Sequence, residues 1–373
     1  MPAARSRSIS PTRIDGVLIV GGGYAGVHAA RKVRDAGHRA TIIDPTGRHD
    51  FVTRLAAVAG GTAKRRDASA SLDHFADAVV IGSMASVSDG TVELDDGRRY
   101  SADAVVVTAG AVPVSPPIDG LEHARPLRTA DQALRLRSEI ASARAVVIVG
   151  GGATGVQLAG AIRARRPDTA VTLVDSGQAL LAGMGKSTAA NAARILRQRE
   201  VAVRLGADAD RFTDDSVTID GETLTGLPVW AAGFDARADS LGLPTDDTGR
   251  ATVDDTLLVT GWSSTFAAGD VAHHVASDGE DLPMSAQIAV QAGEAAGENA
   301  GRLLGGRELE AAELSHAGWV LDLGGRRGLA EVAGVELAAP FLDLLPPLLH
   351  WGIDVKHLVE TRGLAGLAKR PGA

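Results

Sequence analysis

The chain has 373 residues, which suits two or three domains of about 100–200 residues each. Its net charge of -8 argues against a nucleic-acid footprint, and its lack of cysteine excludes disulfides, cysteine metal sites and a dithiol relay. Residues 1–13 are polar and basic and are predicted to form a flexible tail. Because no run of about 18 uncharged apolar residues predicts a membrane span, we expect a cytoplasmic protein.

The first strong pattern is a strand, a glycine turn, a helix and a second strand. The strand VLIV leads into Gly21, Gly23 and Gly26, which fit G-x-G-x-x-G, and the strand ATII ends at Asp44. The first glycine makes the tight turn, the second lets the backbone approach a pyrophosphate, and the third lets helix pack on strand. The acid accepts hydrogen bonds from a ribose, and the helix N-terminus faces the phosphates.

The same pattern recurs later in the chain. The strand AVVIV leads into Gly150, Gly152 and Gly155, a helical pattern follows, and the strand VTLV ends at Asp175. A repeat on the scale of a domain predicts two nucleotide sites. A carboxylate at Asp175 would repel a 2′-phosphate, which favours NAD over NADP.

Other elements are predicted around the two repeats. Between them we expect a hairpin over 91–101 and a strand over 104–108 that closes on Gly110. After the second repeat we expect strands over 227–232 and 256–260 and a long helix over 285–304, and later a strand and turn around 319–328.

These patterns predict an α/β fold with two tandem Rossmann-like dinucleotide-binding domains and a small α+β C-terminal piece. Prolines and glycines place the first domain at 14–112 and 250–305, the second at 113–249 and a C-terminal subdomain at 306–373.

Five motifs in fixed order carry a family resemblance. The order GGGYAG, VTAGA, GGGATG, WAAGF and FAAGD resembles the two-dinucleotide-binding-domain flavoproteins of the pyridine nucleotide-disulfide oxidoreductase superfamily. More narrowly, it resembles the branch of type II NADH dehydrogenases and apoptosis-inducing-factor-like reductases. The resemblance covers about residues 15–305. It implies FAD on the first domain, NADH as co-substrate on the second, and an FAD-dependent NADH:acceptor oxidoreductase.

The resemblance also implies which residues contact each nucleotide. The FAD set is Gly21, Gly23, Ala25, Gly26, Asp44, Arg54, Gly110 and Asp270. The NADH set is Gly150, Gly152, Gly155, Asp175 and Gly233.

The electron acceptor is expected to meet the flavin directly, because the chain lacks the cysteine pair of the family's disulfide reductases. The segment AQIAVQ resembles a pattern near the quinone pocket of type II NADH dehydrogenases, and its Gln287 and Gln291 share a helix face. Gln157 stands where the family often has a Glu, and an amide cannot relay protons. These three glutamines are the candidate catalytic residues.

Two other functions stay open. Acidic electron carriers such as ferredoxin could dock on Lys64, Arg65 and Arg66, a cluster that would equally suit a solvated surface. The departure at Gln157 also allows a slow-turnover FAD-binding signalling protein.

Two further segments, one apolar and one containing two histidines, suggest possible contacts with a partner, a membrane or a metal. The apolar residues 342–349 and Trp351 are expected to form a packed subdomain or a homodimer face rather than a peripheral contact with the inner face of a membrane. The adjacent His273 and His274 favour a turn or cap over a metal site, because neighbouring side chains point apart.

Overall fold

A computed structural model describes residues 10–325, 327–332 and 335–336. They divide into two compact units. The first comprises the described residues up to His49, together with Ala70–Ala111 and Ala236–His316; the second comprises Asp50–Ser69, Val112–Asp235 and the described residues from Ala317 onward. Residues 1–9 of the predicted tail and the apolar residues 342–349 and Trp351 lie outside the described residues.

The described residues contain helices α1 (Tyr24–Asp35), α2 (Leu55–Gly60), α3 (Ala130–Ser142), α4 (Ala153–Arg165), α5 (Lys186–Gln198) and α6 (Ala286–Leu304). Their strands are β1 (Thr12–Arg13), β2 (Val17–Val20), β3 (Ala40–Asp44), β4 (Arg48–Asp50), β5 (Ser69–Ser71), β6 (Ala78–Ile81), β7 (Met84–Ser88), β8 (Thr91–Leu94), β9 (Arg99–Ser101), β10 (Ala104–Val107), β11 (Val112–Pro113), β12 (Arg125–Pro126), β13 (Ala145–Val149), β14 (Ala170–Asp175), β15 (Ala202–Leu205), β16 (Ala209–Phe212), β17 (Ser216–Ile219), β18 (Glu222–Thr225), β19 (Leu227–Trp230), β20 (Phe234–Asp235), β21 (Thr265–Ala267), β22 (Gly318–Asp322), β23 (Gly328–Val332) and β24 (Val335–Glu336).

The first unit is built on a five-stranded parallel sheet in the order β21-β10-β2-β3-β6. Every residue of β2 and β10 is buried, as expected for parallel strands covered on both faces. A second sheet in the order β1-β9-β8-β7 contains the predicted hairpin, whose turn has Gly97 at φ +82°. Strand β1 pairs with β9, so the tail predicted to reach residue 13 ends earlier, because Thr12 and Arg13 are strand residues.

Helix α6 packs against α1 in the first unit through glycines. A Cβ on Gly293 would lie 2.2 Å from the carbonyl oxygen of Ala25, and one on Gly297 would lie 2.5 Å from that of Ala29. The two backbones are therefore in direct contact. Ser285 caps α6 by accepting from the backbone N–H of Ile288, so the predicted long helix is present with its expected start.

The second unit repeats the sheet order of the first. Its five strands run parallel in the order β12-β19-β13-β14-β15, and a three-stranded antiparallel sheet β16-β17-β18 lies between β15 and β19 in sequence. The predicted strand and turn near Trp319 form the antiparallel hairpin of β22 and β23. Arg199 donates to the carbonyls of Gly160 (2.6 Å) and Leu323, which ties this hairpin to α4.

Residues 50–69 belong to the second unit, whereas the sequence placed them in the first domain. A Cβ on Gly60 would lie 2.5 Å from the Cβ of Ala161, so α2 lies directly on α4. Arg137 of α3 donates to the carbonyls of Val58 (3.0 Å) and Ala63 (2.6 Å) at the end of α2. These contacts join residues far apart in sequence, which local patterns do not reveal.

The strand predicted over 256–260 does not form. Asp254 accepts hydrogen bonds from the backbone of Thr256 (2.9 Å) and Leu258 (3.1 Å), and this side chain competes with strand pairing. Strand pairing in this segment is limited to isolated bridges, such as that of Val253 with Val259.

The described part of the chain has no helix long and apolar enough to cross a bilayer.

We expect Gly297→Val to lower the free energy of unfolding by about 2–3 kcal/mol, because the side chain would push α6 away from Ala29. The matched control is Ala295→Val on the same helix, where the half-buried position tolerates the added methyls. Urea titration followed by circular dichroism measures both. Equal losses in the two variants would contradict direct backbone contact at Gly297.

Candidate functional site

The glycine turn of the first unit is closed by direct backbone contacts. A Cβ on Gly21 would lie 2.3 Å from the carbonyl oxygen of Thr108, and one on Gly26 would lie 1.9 Å from that of Gly21. In contrast, a Cβ on Gly23 would meet no heavy atom of the described residues within 4 Å. The φ of Gly23, -73°, is also open to any residue. Packing therefore requires Gly21 and Gly26, whereas Gly23 borders open space.

The second unit repeats this pattern. A Cβ on Gly150 would lie 2.4 Å from the carbonyl oxygen of Ala231, and one on Gly155 would lie 1.9 Å from that of Gly150. Gly152, with φ -73°, again meets nothing within 4 Å in the part of the chain that the structure describes. Two turns of different sequence thus leave the same space beside a helix start.

The helices that follow the two turns begin without side-chain caps. No side chain caps α1 at Gly23 or α4 at Gly152, and α2 and α5 also begin without such a cap, whereas Thr129 caps α3 and Ser285 caps α6. The first amide N–H groups of α1 and α4 are positive ends of helix dipoles and suit a phosphate. The space and the amides together fit a dinucleotide pyrophosphate in each unit.

The two acids shape their own glycine turns. Asp44 accepts from the backbone N–H of Gly22 (3.0 Å) and, on its other oxygen, from Thr46 and Gly47. Asp175 accepts from the N–H of Gly151 (2.5 Å) and of Gly177. Both carboxylates keep acceptor capacity for a ribose hydroxyl, with more of it left on Asp175.

Three residues near the turns were missed by sequence reasoning. The Thr108 hydroxyl donates to the carbonyls of Val20 (2.8 Å) and Gly21 (2.9 Å) and fixes the first turn. Ile81 and Leu205 end the strands next to each acid, in register with it, yet are 54% and 40% exposed. The sequence signal for Ile81 and Leu205 is an apolar residue at the end of the next parallel strand after each acid.

Asp270 lies in the same unit as the first glycine turn. The preceding Gly269, at φ +78°, brings a would-be Cβ to 3.0 Å from the Cβ of Ala25 in the first turn of α1. Ala25 is thereby buried, between Gly269 and Gly293. Gly110, at φ +69°, lies almost at the end of the segment Ala70–Ala111 of this unit.

His274 stabilises the Gly269 turn through a hydrogen bond. Its Nε2 accepts from the backbone N–H of Gly269 at 3.1 Å, so the neutral ring carries its proton on Nδ1. Burial lowers the pKa of His274 to about 4, and the charges of Arg250 and His273 act in the same direction. His273 itself pairs with Asp246 and Asp281. The described residues contain no cluster that could hold a metal ion.

The three candidate glutamines have different surroundings. Gln291 donates to the carbonyl of Ser315 (2.9 Å) and accepts from its N–H (3.0 Å), so its amide anchors this backbone. Gln157 donates to the carbonyl of Ala153 and accepts from the N–H of Asp322 (3.2 Å). Gln287 lies in the first turn of α6. Their catalytic roles stay predictions.

The remaining predicted contacts lie in the second unit. Arg54 belongs to this unit and has an ion pair with Asp67 at 3.8 Å, and its contact with FAD stays a prediction. Gly233 follows β19 with φ +95°, next to a methyl of Val114.

Comparison with known families decides the classification. The family model described as pyridine nucleotide-disulphide oxidoreductase matches residues 15–293. The chain belongs to this family. Membership confirms the predictions of the family, of the α/β fold with parallel sheets, and of an FAD-dependent pyridine nucleotide oxidoreductase.

Two relatives and one solved structure illustrate the family. A type II NADH:quinone oxidoreductase of Staphylococcus aureus is 25% identical over 95% of this chain and 98% of its own length. An NADH dehydrogenase-like protein of Mycobacterium tuberculosis is 30% identical over 83% of this chain and 85% of its own length. NDH2 from Plasmodium falciparum in complex with NADH, at 14% identity, has a TM-score of 0.77 and covers 96% of this chain and 99% of its own, which shows the shared fold.

We expect acid to destabilise the protein through His274. The unfolded chain binds a proton at this side chain near pH 6.5, the folded chain only near pH 4, so acidification favours unfolding. Between pH 7 and pH 5 the wild type should lose about 2 kcal/mol more unfolding free energy than His274→Gln. Urea titrations at both pH values test this, with the exposed His74→Gln as control. An unchanged pH dependence in His274→Gln would contradict the buried neutral ring.

Proposed function

We propose that the chain is an FAD-dependent NADH dehydrogenase that delivers electrons to a quinone. The observation that carries the proposal is the duplicated turn, in which Gly23 and Gly152 border open space in front of uncapped helices. The named activities of the relatives from Staphylococcus aureus and Mycobacterium tuberculosis support it.

The first unit would hold FAD. The amides of α1 would bind the pyrophosphate, Asp44 the adenosine ribose, and Asp270 hydroxyls of the chain that leads to the flavin. Ile81 would lie against the adenine, because it is exposed and in register with Asp44. When bound, FAD supplies a ring that accepts a hydride and releases electrons, so these residues serve to bind and orient.

The second unit would hold NADH. The amides of α4 would bind the pyrophosphate and Asp175 the adenosine ribose, with Leu205 under the adenine. Asp175 already fixes Gly151 and keeps acceptor capacity, so a 2′-phosphate would meet a negative charge there. We therefore propose NADH over NADPH.

A quinone is the proposed acceptor because no cysteine is present to form a dithiol relay. The relative named type II NADH:quinone oxidoreductase supports this choice. Gln287 and Gln291 are the glutamines we propose near the acceptor, because the segment AQIAVQ resembles a pattern near the quinone pocket of type II NADH dehydrogenases. We also propose a cytoplasmic location, at most peripheral to a membrane, where a lipid-soluble quinone could be reached.

A basic surface keeps a second candidate function open. Arg65, Arg137 and Arg165 all belong to the second unit, where burial and the charges of Arg65 and Arg165 lower the pKa of Arg137. Lys64 and Arg66 are exposed beside Arg65. Such a surface would suit an acidic electron carrier.

A comparison of electron acceptors tests the function. The purified protein should be yellow, oxidise NADH faster than NADPH, and reduce a soluble quinone with little dependence on salt. Turnover only with an acidic carrier, falling steeply with salt, would favour the second candidate. A colourless protein that releases no flavin on denaturation would exclude both.

We expect Gly152→Val to abolish NADH binding while FAD and the fold are kept, because the side chain enters open space that we assign to the pyrophosphate. Gly23→Val is the matched variant and should lose FAD instead. Flavin absorbance and calorimetric titration with NAD⁺ measure the two effects. Retention of both ligands in both variants would contradict the assignment of these spaces.

A further inference from the structure

The sheet order of the second unit indicates which strand ends the two halves of the proposed dinucleotide would lie against. Ligands of parallel α/β sheets lie outside the carboxyl ends of the strands. The glycine turn follows β13, Asp175 ends β14 and Leu205 ends β15, on one side of the turn. On the other side of β13 lie β19 and then β12. An adenosine at Asp175 therefore directs the rest of the dinucleotide toward the ends of β19 and β12.

An exposed aromatic ring lies at those strand ends. Phe234 comes four residues after Trp230, the last residue of β19, and is 36% exposed. Arg128 comes two residues after Pro126, the last residue of β12, and its guanidinium carbon lies 4.9 Å from the centre of the Phe234 ring. A cation–π contact of this kind holds the ring in one place.

The backbone around the ring is also fixed. Gly233, at φ +95°, turns the chain directly before Phe234. The N–H of Val114 donates to the carbonyl of Gly233, and the indole N–H of Trp230 donates to the carbonyl of Val114 at 2.8 Å. Strand β20 then pairs with β11, where Phe234 faces Pro113. The turn, the strand pairing and the contact with Arg128 thus hold a partly exposed apolar ring in a fixed orientation.

We infer that Phe234 is the contact surface for the nicotinamide ring of the dinucleotide, and that Arg128 is the positioning residue that orients Phe234. The inference rests on the proposed function, because it requires the dinucleotide to bind the second unit. A flat heteroaromatic ring gains stacking or edge-to-face contact with a phenyl ring of fixed orientation. The preorganised ring also reduces the ordering that binding would otherwise require.

The test compares two ligands that differ by the nicotinamide. NAD⁺ carries the ring and ADP-ribose lacks the nicotinamide, and neither reduces the flavin during a titration. Calorimetry on the purified flavoprotein gives the dissociation constant of each for wild type, Phe234→Ala, Phe234→Tyr, Arg128→Ala and Leu205→Ala. Flavin absorbance and circular dichroism verify that each variant is folded, and Phe234→Leu replaces Phe234→Ala if the latter loses flavin.

We expect Phe234→Ala to weaken NAD⁺ about tenfold and ADP-ribose less than twofold. Phe234→Tyr should stay within about twofold of wild type for both ligands, because it keeps the ring. Leu205→Ala should weaken both ligands equally, since both contain adenosine. Arg128→Ala should reproduce part of the Phe234→Ala effect on NAD⁺ alone.

Three outcomes would overturn the inference. Phe234→Ala could leave NAD⁺ unchanged, or it could weaken both ligands equally, which would assign Phe234 a structural role. If wild type binds neither ligand, the proposed NADH site itself is wrong and the inference falls with it. Only selective loss of NAD⁺ supports a nicotinamide contact at Phe234.

Discussion

The geometry of both glycine turns depends on close contact between the first turn of a helix and the end of the strand before it. A Cβ on Gly26 would come within 1.9 Å of the carbonyl oxygen of Gly21, and Gly155 stands in the same relation to Gly150. No side chain fits there, so the first helix amides are held directly beside the carboxyl edge of the sheet. The open space at Gly23 and Gly152 has a defined position only because these contacts are closed.

Other contacts in each unit keep that geometry fixed. In the first unit, α6 lies against the backbone of α1 at Gly293, and the Gly269 turn, held by His274, covers Ala25. In both units an acid accepts from the middle amide of its glycine turn, so turn stability and the proposed ribose contact depend on one carboxylate. A change at Asp44 would therefore alter the shape of the turn as well as its affinity for a nucleotide.

Two of the glutamines predicted to be catalytic also make structural contacts. The amide of Gln291 fixes the backbone of Ser315, and that of Gln157 connects α4 to Asp322. Such amides position backbone well because they donate and accept at once.

The sequence by itself determined the two nucleotide-binding repeats. Strand and helix periods and the glycine spacing are local, so VLIV–Gly21 and AVVIV–Gly150 predicted their elements and the tight turns between them. Tertiary structure decided what depends on residues distant in sequence. Residues 50–69 joined the second unit because Gly60 and Arg137 make contacts between segments far apart along the chain. The contact of Arg128 with Phe234 likewise exists only because β12 and β19 are neighbours in the sheet.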